Sequence, residues 1–383
     1  MPSVTTSQRD MGIYIHIPFC HNKCIYCDFP AYPNLEAYHQ DYVDALVKEI
    51  ALRADGSPVS TIYFGGGTPT ILPIGDLARL MEAIRSHFRV QEDAEISIES
   101  NPGDYKREEL KALRDVGFNR ISFGVQTFDN EALALLGRAH KAETAYQNIA
   151  MAAALGFEGI NLDLIYALPG QSLKDVRHNI EVAASLPINH ISMYGLQLEE
   201  GTRLISLVES GSIQLPDPDQ ADAMYDAMVE GLAAKGFERY EISNFARSGH
   251  YSQHNLKYWT YQPYFGFGAG ASSFVQGQRI ANAPNVVRYI GALKEGHMPP
   301  RELESIDSQR GPEDFCFLGL RTQWGIQIEA FEEQFGQSLA SQFGPAIDRL
   351  LEEGLLKEVP GGYALSDQGA KHGNYVFEQF IRN

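Results

Sequence analysis

Residues 14–29 read YIHIPFCHNKCIYCDF. The stretch joins a β-rich run, GIYIHI from Gly12, to a loop bearing Cys20, Cys24 and Cys27 in a C-x3-C-x2-C spacing. Three thiols this close leave one unpaired if two form a disulfide. Clustered cysteines in a chain that looks cytosolic read instead as a metal or redox site. A zinc site takes four ligands at paired spacings and would have to borrow His16 or His21. An iron–sulfur cube is normally held by four thiolates. Three suit it better than they suit zinc, and they leave one iron open to chelation by a small molecule. The fourth cysteine, Cys316, lies far along the chain and reads as a buried thiol.

Further β-rich runs follow: TIYFGG near Thr61, EISIES near Glu95, RISFGVQ near Arg120, GINLDLIYALPG from Gly159 and HISMYGLQL from His190. Stretches with helical spacing, such as DYVDALVKEIALRA, GDLARLMEAIRSHF and REELKALRDVG, lie between them. Strands alternating with helices predict βα units and a parallel sheet. Six units in about 200 residues are too few for a closed eight-stranded barrel. They predict an α/β fold, either a partial, open (βα)6 barrel of the TIM type or a doubly wound sheet. CHNKC follows the first strand and GGGTPT the second, while ESNP, GVQTF and LPGQ close the next three. All five lie at carboxyl ends of strands, where α/β proteins of either kind build their sites.

The remaining chain divides it into residues 1–236 for the barrel, 237–300 for an aromatic-rich connection, and 301–383 for a small C-terminal α+β domain. In that last part helical pieces precede LLKEVPGGYALSDQG, two short strands around a Pro-Gly-Gly turn. Helices followed by a hairpin suggest a winged-helix shape. The chain has 383 residues, with 31 Lys+Arg against 49 Asp+Glu for a formal charge of −18. That balance argues against nucleic-acid binding, which wants a basic face. No run of roughly 18 apolar residues suggests a membrane span, and the first residues lack an apolar signal segment. A cytoplasmic protein without stable membrane insertion, with its first ten residues loose, is expected; a homodimer is compatible with the sequence.

YIHIPFC, YFGGGTPT, GVQTF and NLDLIYALPGQ, in that order, resemble motifs of the oxygen-independent coproporphyrinogen oxidase group of the radical S-adenosylmethionine (SAM) superfamily. The resemblance covers nearly the whole chain. It implies a [4Fe–4S] cluster on Cys20, Cys24 and Cys27, with the amino and carboxylate groups of SAM on the fourth iron, and SAM cleavage to a 5′-deoxyadenosyl radical. By motif position Tyr14 resembles a SAM-contacting tyrosine, and Tyr26 takes the aromatic place beside cluster and adenine. Gly65, Gly66 and Gly67 let a ligand approach the backbone and hold the SAM amino group, with Thr68 beside them. Glu99 accepts hydrogen bonds from the cofactor. Gln126, Arg138 and Asp163 match residues that contact SAM or a second SAM, and the planar fork of Arg138 suits a carboxylate.

Two departures separate this chain from the group's oxidases. Phe29 stands where they carry a further cysteine, and only eleven residues precede Gly12 where they have a longer extension. SQHNLKYW, with His254, Asn255, Tyr258 and Trp259, is similar to the heme-binding motif of the group's heme chaperones. Imidazole is a good axial ligand for heme iron, and aromatic rings cover a flat macrocycle. Alternatively, His254 is a packed core histidine. The expectation is a heme chaperone that binds heme through His254 and passes it to acceptors such as respiratory hemoproteins. The alternatives are a coproporphyrinogen III oxidase making protoporphyrinogen, and a tRNA-modifying radical SAM enzyme, against which the net charge counts.

Overall fold

The computed structural model describes residues 10–382. The expectation of a loose N-terminus therefore falls, except for Asp10, outside the described residues. Six βα units open the chain. They comprise β1 (Met11–Ile17), α1 (His39–Arg53), β2 (Pro58–Gly66), α2 (Ile74–His87), β3 (Arg89–Ser100), α3 (Arg107–Val116), β4 (Arg120–Gln126), α4 (Asn130–Leu136), α5 (Ala142–Ala154), β5 (Gly159–Tyr166), α6 (Leu173–Ser185) and β6 (His190–Gly195). All six strands are parallel and pair in chain order. A doubly wound sheet reverses its order at a switch point. This one does not, so the architecture is the partial (βα)6 barrel.

Side-chain alternation fixes which way each strand faces. Ile13, Ile15 and Ile17 of β1, Ile62 and Phe64 of β2, Ile121 and Phe123 of β4, and Leu162 and Leu164 of β5 are buried in one apolar core. They share it with Tyr42, Leu46 and Ile50 of α1, Leu77, Leu80 and Ile84 of α2, and Val176 and Ile180 of α6. The opposite face carries polar residues, which line the barrel interior. Local chemistry starts the helices where the strands need them: the Asp129 carboxylate accepts from the N–H groups of Glu131 and Ala132 to cap α4, and Ser172 with Asp175 forms a capping box on α6.

Beyond β6 come α7 (Arg203–Glu209) and α8 (Pro218–Ala234). The latter is capped by Asp217 and Gln220 with Pro218 at its first position, and it packs on α6. The aromatic-rich stretch then extends the sheet at both edges. β7 (Glu238–Arg239) and β8 (Asn244–Ala246) add antiparallel to the β6 edge. The chain crosses through α9 (Gln253–Trp259), and β9 (Tyr264–Phe267) pairs parallel with β1. β10 (Ser272–Val275), β11 (Gln278–Asn282), α10 (Val286–Lys294) and β12 (Arg301–Ser305) follow. β12 pairs with β11, so the sheet continues past residue 300. One segment thus covers both edges of the parallel sheet, removing the unpaired rows an open barrel would present.

A buried carboxylate ties that segment to α1. Glu49 accepts from Arg53 Nη1 at 2.8 Å, Gly268 N at 2.8 Å, Asn282 Nδ2 at 2.8 Å and Tyr289 Oη at 2.7 Å. A fully buried anion is tolerated only with this many donors.

The C-terminal unit comprises α11 (Arg310–Leu320), β13 (Ile326–Gln327), α12 (Ile328–Phe335), α13 (Leu339–Glu352), β14 (Leu356–Val359), β15 (Gly362–Leu365), α14 (Asp367–Lys371) and α15 (Gly373–Glu378). Its antiparallel sheet runs β13-β15-β14, with the expected hairpin between β14 and β15. Cys316 is buried in its separate apolar core. Among the described residues no helix is long and apolar enough to cross a membrane.

Candidate functional site

A cavity of about 540 Å³ runs down the barrel interior, in the size range of small-molecule sites. Cys20, Cys24, Tyr26 and Cys27 border its mouth, at the carboxyl ends of the strands, with Gly66, Gly67, Thr68, Gln126 and Arg138. Glu99 and Asp163 lie on its wall. The structure brings these eleven residues, picked from six separate loops and strands, into one space. Tyr14, Gly65 and His254, also expected at the site, stand apart from the lining. The Tyr14 hydroxyl is 3.0 Å from His16 Nδ1, behind the wall. His254 lies beneath the floor, although Ser252 and Asn255 beside it line that floor.

The cysteine loop is held against β2. Gly67 donates its N–H to Ile17 O at 2.8 Å. A Cβ on Gly67 would stand 2.5 Å from Phe19 O and 3.0 Å from Cys20 Sγ, so only glycine lets the loop seat here. Cys20 Sγ is 3.5 Å from Thr68 Oγ1, and Arg138 Nη1 reaches Cys24 Sγ at 3.5 Å. Arg138 also donates to Asn101 Oδ1 and Gly124 O at 2.5 and 2.6 Å. Partial burial pushes the Cys20 and Cys27 thiols above their ordinary value. The three thiols are free of disulfides. Among the described residues no three His, Cys, Asp or Glu side chains converge tightly enough for a single metal ion. Neither His16 nor His21 completes a compact zinc site. The donor set fits a larger group that spans three thiolates, and the cradle at Gly67 fits a loop wrapped around one.

The wall is built for polar ligands. Glu99 accepts from Tyr63 Oη at 2.8 Å and from Gly66 N at 3.1 Å. Burial, then the charge of Asp163, raises its carboxyl to about 7 against those two donors. Asp163 accepts from Ser122 Oγ at 2.9 Å and Asn161 Nδ2 at 2.8 Å, and burial pushes its pKa up as well. Gln126 ends β4 with a left-handed φ of 68°. That strained conformation in a non-glycine residue is characteristic of functional sites.

His254 is 1% exposed. Its Nδ1 is 2.9 Å from Thr61 Oγ1 and its Nε2 is 2.8 Å from Tyr258 Oη, with the Tyr63 ring stacked at 5.3 Å. Its backbone N–H and that of Gln253 donate to the Glu95 carboxylate. Burial lowers the imidazole pKa to about 3, so the ring is neutral near pH 7.

Several lining residues escaped the motif reading: Tyr63, Ser97, Asn101, Arg120, Ser122, Asn161, His190, Ser192 and Tyr194. All but Asn101 occupy inward positions of strands. The signal was the polar alternation in EISIES, RISFGVQ, INLDL and HISMY, where every second residue is polar although both faces are covered.

Residues 14–183 match the Radical SAM superfamily, and residues 308–370 match the HemN C-terminal domain. The chain is 40% identical to the heme chaperone HemW of Bacillus subtilis (strain 168), over 96% of this chain and 98% of the relative. It is 33% identical to the heme chaperone HemW of Escherichia coli (strain K12), over 97% of this chain and 98% of that one. The solved structure of coproporphyrinogen III oxidase (HemN) from Escherichia coli, a radical SAM enzyme, superposes with a TM-score of 0.84 at 25% identity, covering 97% of this chain and 90% of that one. Identities of 40% and 33% over nearly the full length of both chains show the family: the chain belongs to the HemW family of radical SAM proteins.

Proposed function

We propose that this protein binds heme, holds a SAM-ligated [4Fe–4S] cluster on Cys20, Cys24 and Cys27, and passes heme to acceptor hemoproteins. The observation that carries the reading is that α9, with its HNLKYW sequence, floors the same cavity whose mouth bears the three thiols. Bound there, the cluster and SAM supply one-electron chemistry. The chain's own residues position them: Arg138 and Thr68 against the cysteines, Glu99 and Asp163 as carboxylates on the wall, Gln126 at the rim. His254 would hold the heme iron. Its neutral ring is the ligating form, and ligation requires α9 to release Nε2 from the Tyr258 hydroxyl.

The likeness to HemN favours a second reading, oxidation of coproporphyrinogen III. Against it stands Phe29, which is 62% exposed at the cavity mouth in the place of the oxidases' further cysteine. One experiment separates the two. Anaerobically reconstituted protein is incubated with SAM, dithionite and either heme or coproporphyrinogen III, and heme retention and porphyrin products are followed. Retained heme with no decarboxylated product is expected. Turnover to protoporphyrinogen would replace this reading with the oxidase. In the same assay His254→Ala should lose heme, and an unchanged titration would remove His254 as the ligand.

A further inference from the structure

Below the carboxylates Glu99 and Asp163, the cavity continues to the amino ends of the strands. Arg120, the first residue of β4, lines it there and is 6% exposed. The one hydrogen bond of its side chain among the described residues is Nη1 to His250 O at 3.5 Å, the limit of such a contact. No acidic side chain lies within ion-pair distance of it among the described residues. The neighbouring acids are otherwise engaged: Asp163 with Ser122 and Asn161, and Glu95 with the backbone of α9. A buried guanidinium without an anion is unfavourable, yet the fold makes room for it. A Cβ on Gly159, the register partner of Arg120 on β5, would fall 2.7 Å from Arg120 Cγ.

Ser97 is the register partner of Arg120 on β3. It is 2% exposed, lines the same floor, and its Oγ has no hydrogen-bond partner. A buried hydroxyl without a partner is uncommon. Here it faces the same space as a buried cation without an anion. Burial and the Arg120 charge also keep the neighbouring His190 neutral, so the floor offers donors and one fixed positive charge.

We propose that the barrel floor is a carboxylate-binding subsite, in which Arg120 pairs with the anion and Ser97 Oγ–H donates to it. The four residue steps of extended strand from Arg120 to Gly124 span about 13 Å. The ligand therefore reaches the floor with a carboxylate arm while its body fills the barrel. Resting on the function proposed above for its candidate ligands, this subsite receives either a propionate of the tetrapyrrole or the amino-acid end of a second SAM molecule.

The test titrates cluster-reconstituted wild type, Arg120→Gln, Arg120→Lys and Ser97→Ala with hemin, hemin dimethyl ester, SAM and decarboxylated SAM. Arg120→Gln should weaken one carboxylate ligand by roughly ten- to a hundredfold, the worth of a hydrogen bond to a charged group, and leave its ester or decarboxylated counterpart at the wild-type value. Ser97→Ala should show a smaller loss with the same ligand, and Arg120→Lys should retain part of the affinity. An effect confined to hemin identifies the propionate, and one confined to SAM identifies the amino-acid carboxylate. If Arg120→Gln does not fold, Ser97→Ala decides alone. Variants that bind all four ligands as wild type does would overturn the subsite. Wild type that binds no hemin would overturn the heme reading, while the SAM arm still decides the floor.

Discussion

Burial lifts the Glu99 carboxyl from its ordinary 4.5 to about 7. For an acid raised in this way, the unfolded chain sheds its proton first as pH climbs. The contribution of Glu99 to stability is therefore greatest below 4.5, declines between 4.5 and about 7, and is flat above. A ligand cation beside Glu99 reverses the preference, because an adjacent positive charge favours the carboxylate. SAM carries a permanent sulfonium charge; seated beside Glu99, it should expel a proton from the carboxyl below about pH 7 and none well above it. Calorimetric titration of the cluster-loaded protein at about pH 6, in two buffers of different ionisation enthalpy, measures the protons released. Wild type should release close to one proton more than Glu99→Gln at that pH, and the difference should vanish near pH 8. Equal release from wild type and Glu99→Gln at the lower pH would show that Glu99 does not receive the cation.

The cysteine loop between β1 and α1 has little regular structure of its own. It is tied down by Tyr32 N to Pro18 O at 2.8 Å, Ile25 N to Leu136 O at 3.2 Å and Leu204 N to Ile25 O at 2.8 Å, and by its close seat on Gly67. Gly67→Ala forces the backbone of Phe19, whose ring packs in the barrel core, and Cys20 away from the end of β2. The variant should keep far-UV circular dichroism and melt somewhat below wild type, yet hold only a small fraction of the iron and visible absorbance after reconstitution. Full iron loading would show that the loop does not need this approach. The elements that were readable in advance are those whose instructions are local. The six strands carry their pattern and end in Gly- and Pro-bearing loops, and the β14–β15 hairpin carries its own turn. The seat of α9 was not readable in this way. His254 is fixed by Glu95, 159 positions earlier, and by Thr61, 193 positions earlier, and nothing within HNLKYW announces either partner. Arg120 is intermediate: its alternation with Ser122 and Gly124 was visible, but that no acid would face it emerges only when β3, β4 and β5 stand side by side.

Among the described residues the two largest apolar cores share no residue, one behind the barrel and one inside the C-terminal unit. Between them lies a junction made by α9 and its surroundings. Tyr261 packs against Phe315 at 5.9 Å and Phe335 at 6.0 Å, the Arg321 guanidinium lies 4.5 Å over the Trp259 ring, and Arg279 pairs with Asp314 at 2.6 Å. The chain has two tryptophans, and both sit at this junction, Trp259 under Arg321 and Trp324 edge-on to Tyr251 at 5.4 Å. Tryptophan fluorescence therefore reports docking of the C-terminal unit, while far-UV circular dichroism is weighted toward the larger barrel. A unit of about 75 residues buries a smaller share of its surface than the barrel does and is the less stable of the two. In urea the fluorescence should change at lower concentration than the dichroism. A ligand confined to the barrel stabilises the barrel alone, by about 2.7 kcal/mol at a hundred times its dissociation constant. SAM added to the cluster-loaded protein should thus move the dichroism midpoint upward and leave the fluorescence midpoint in place, widening the gap between them. Coincident curves that shift together would show instead that α9 couples the two cores into one cooperative unit. Filling the barrel would then tighten the grip on the C-terminal unit, and α9 would carry that coupling from the cavity floor to the junction.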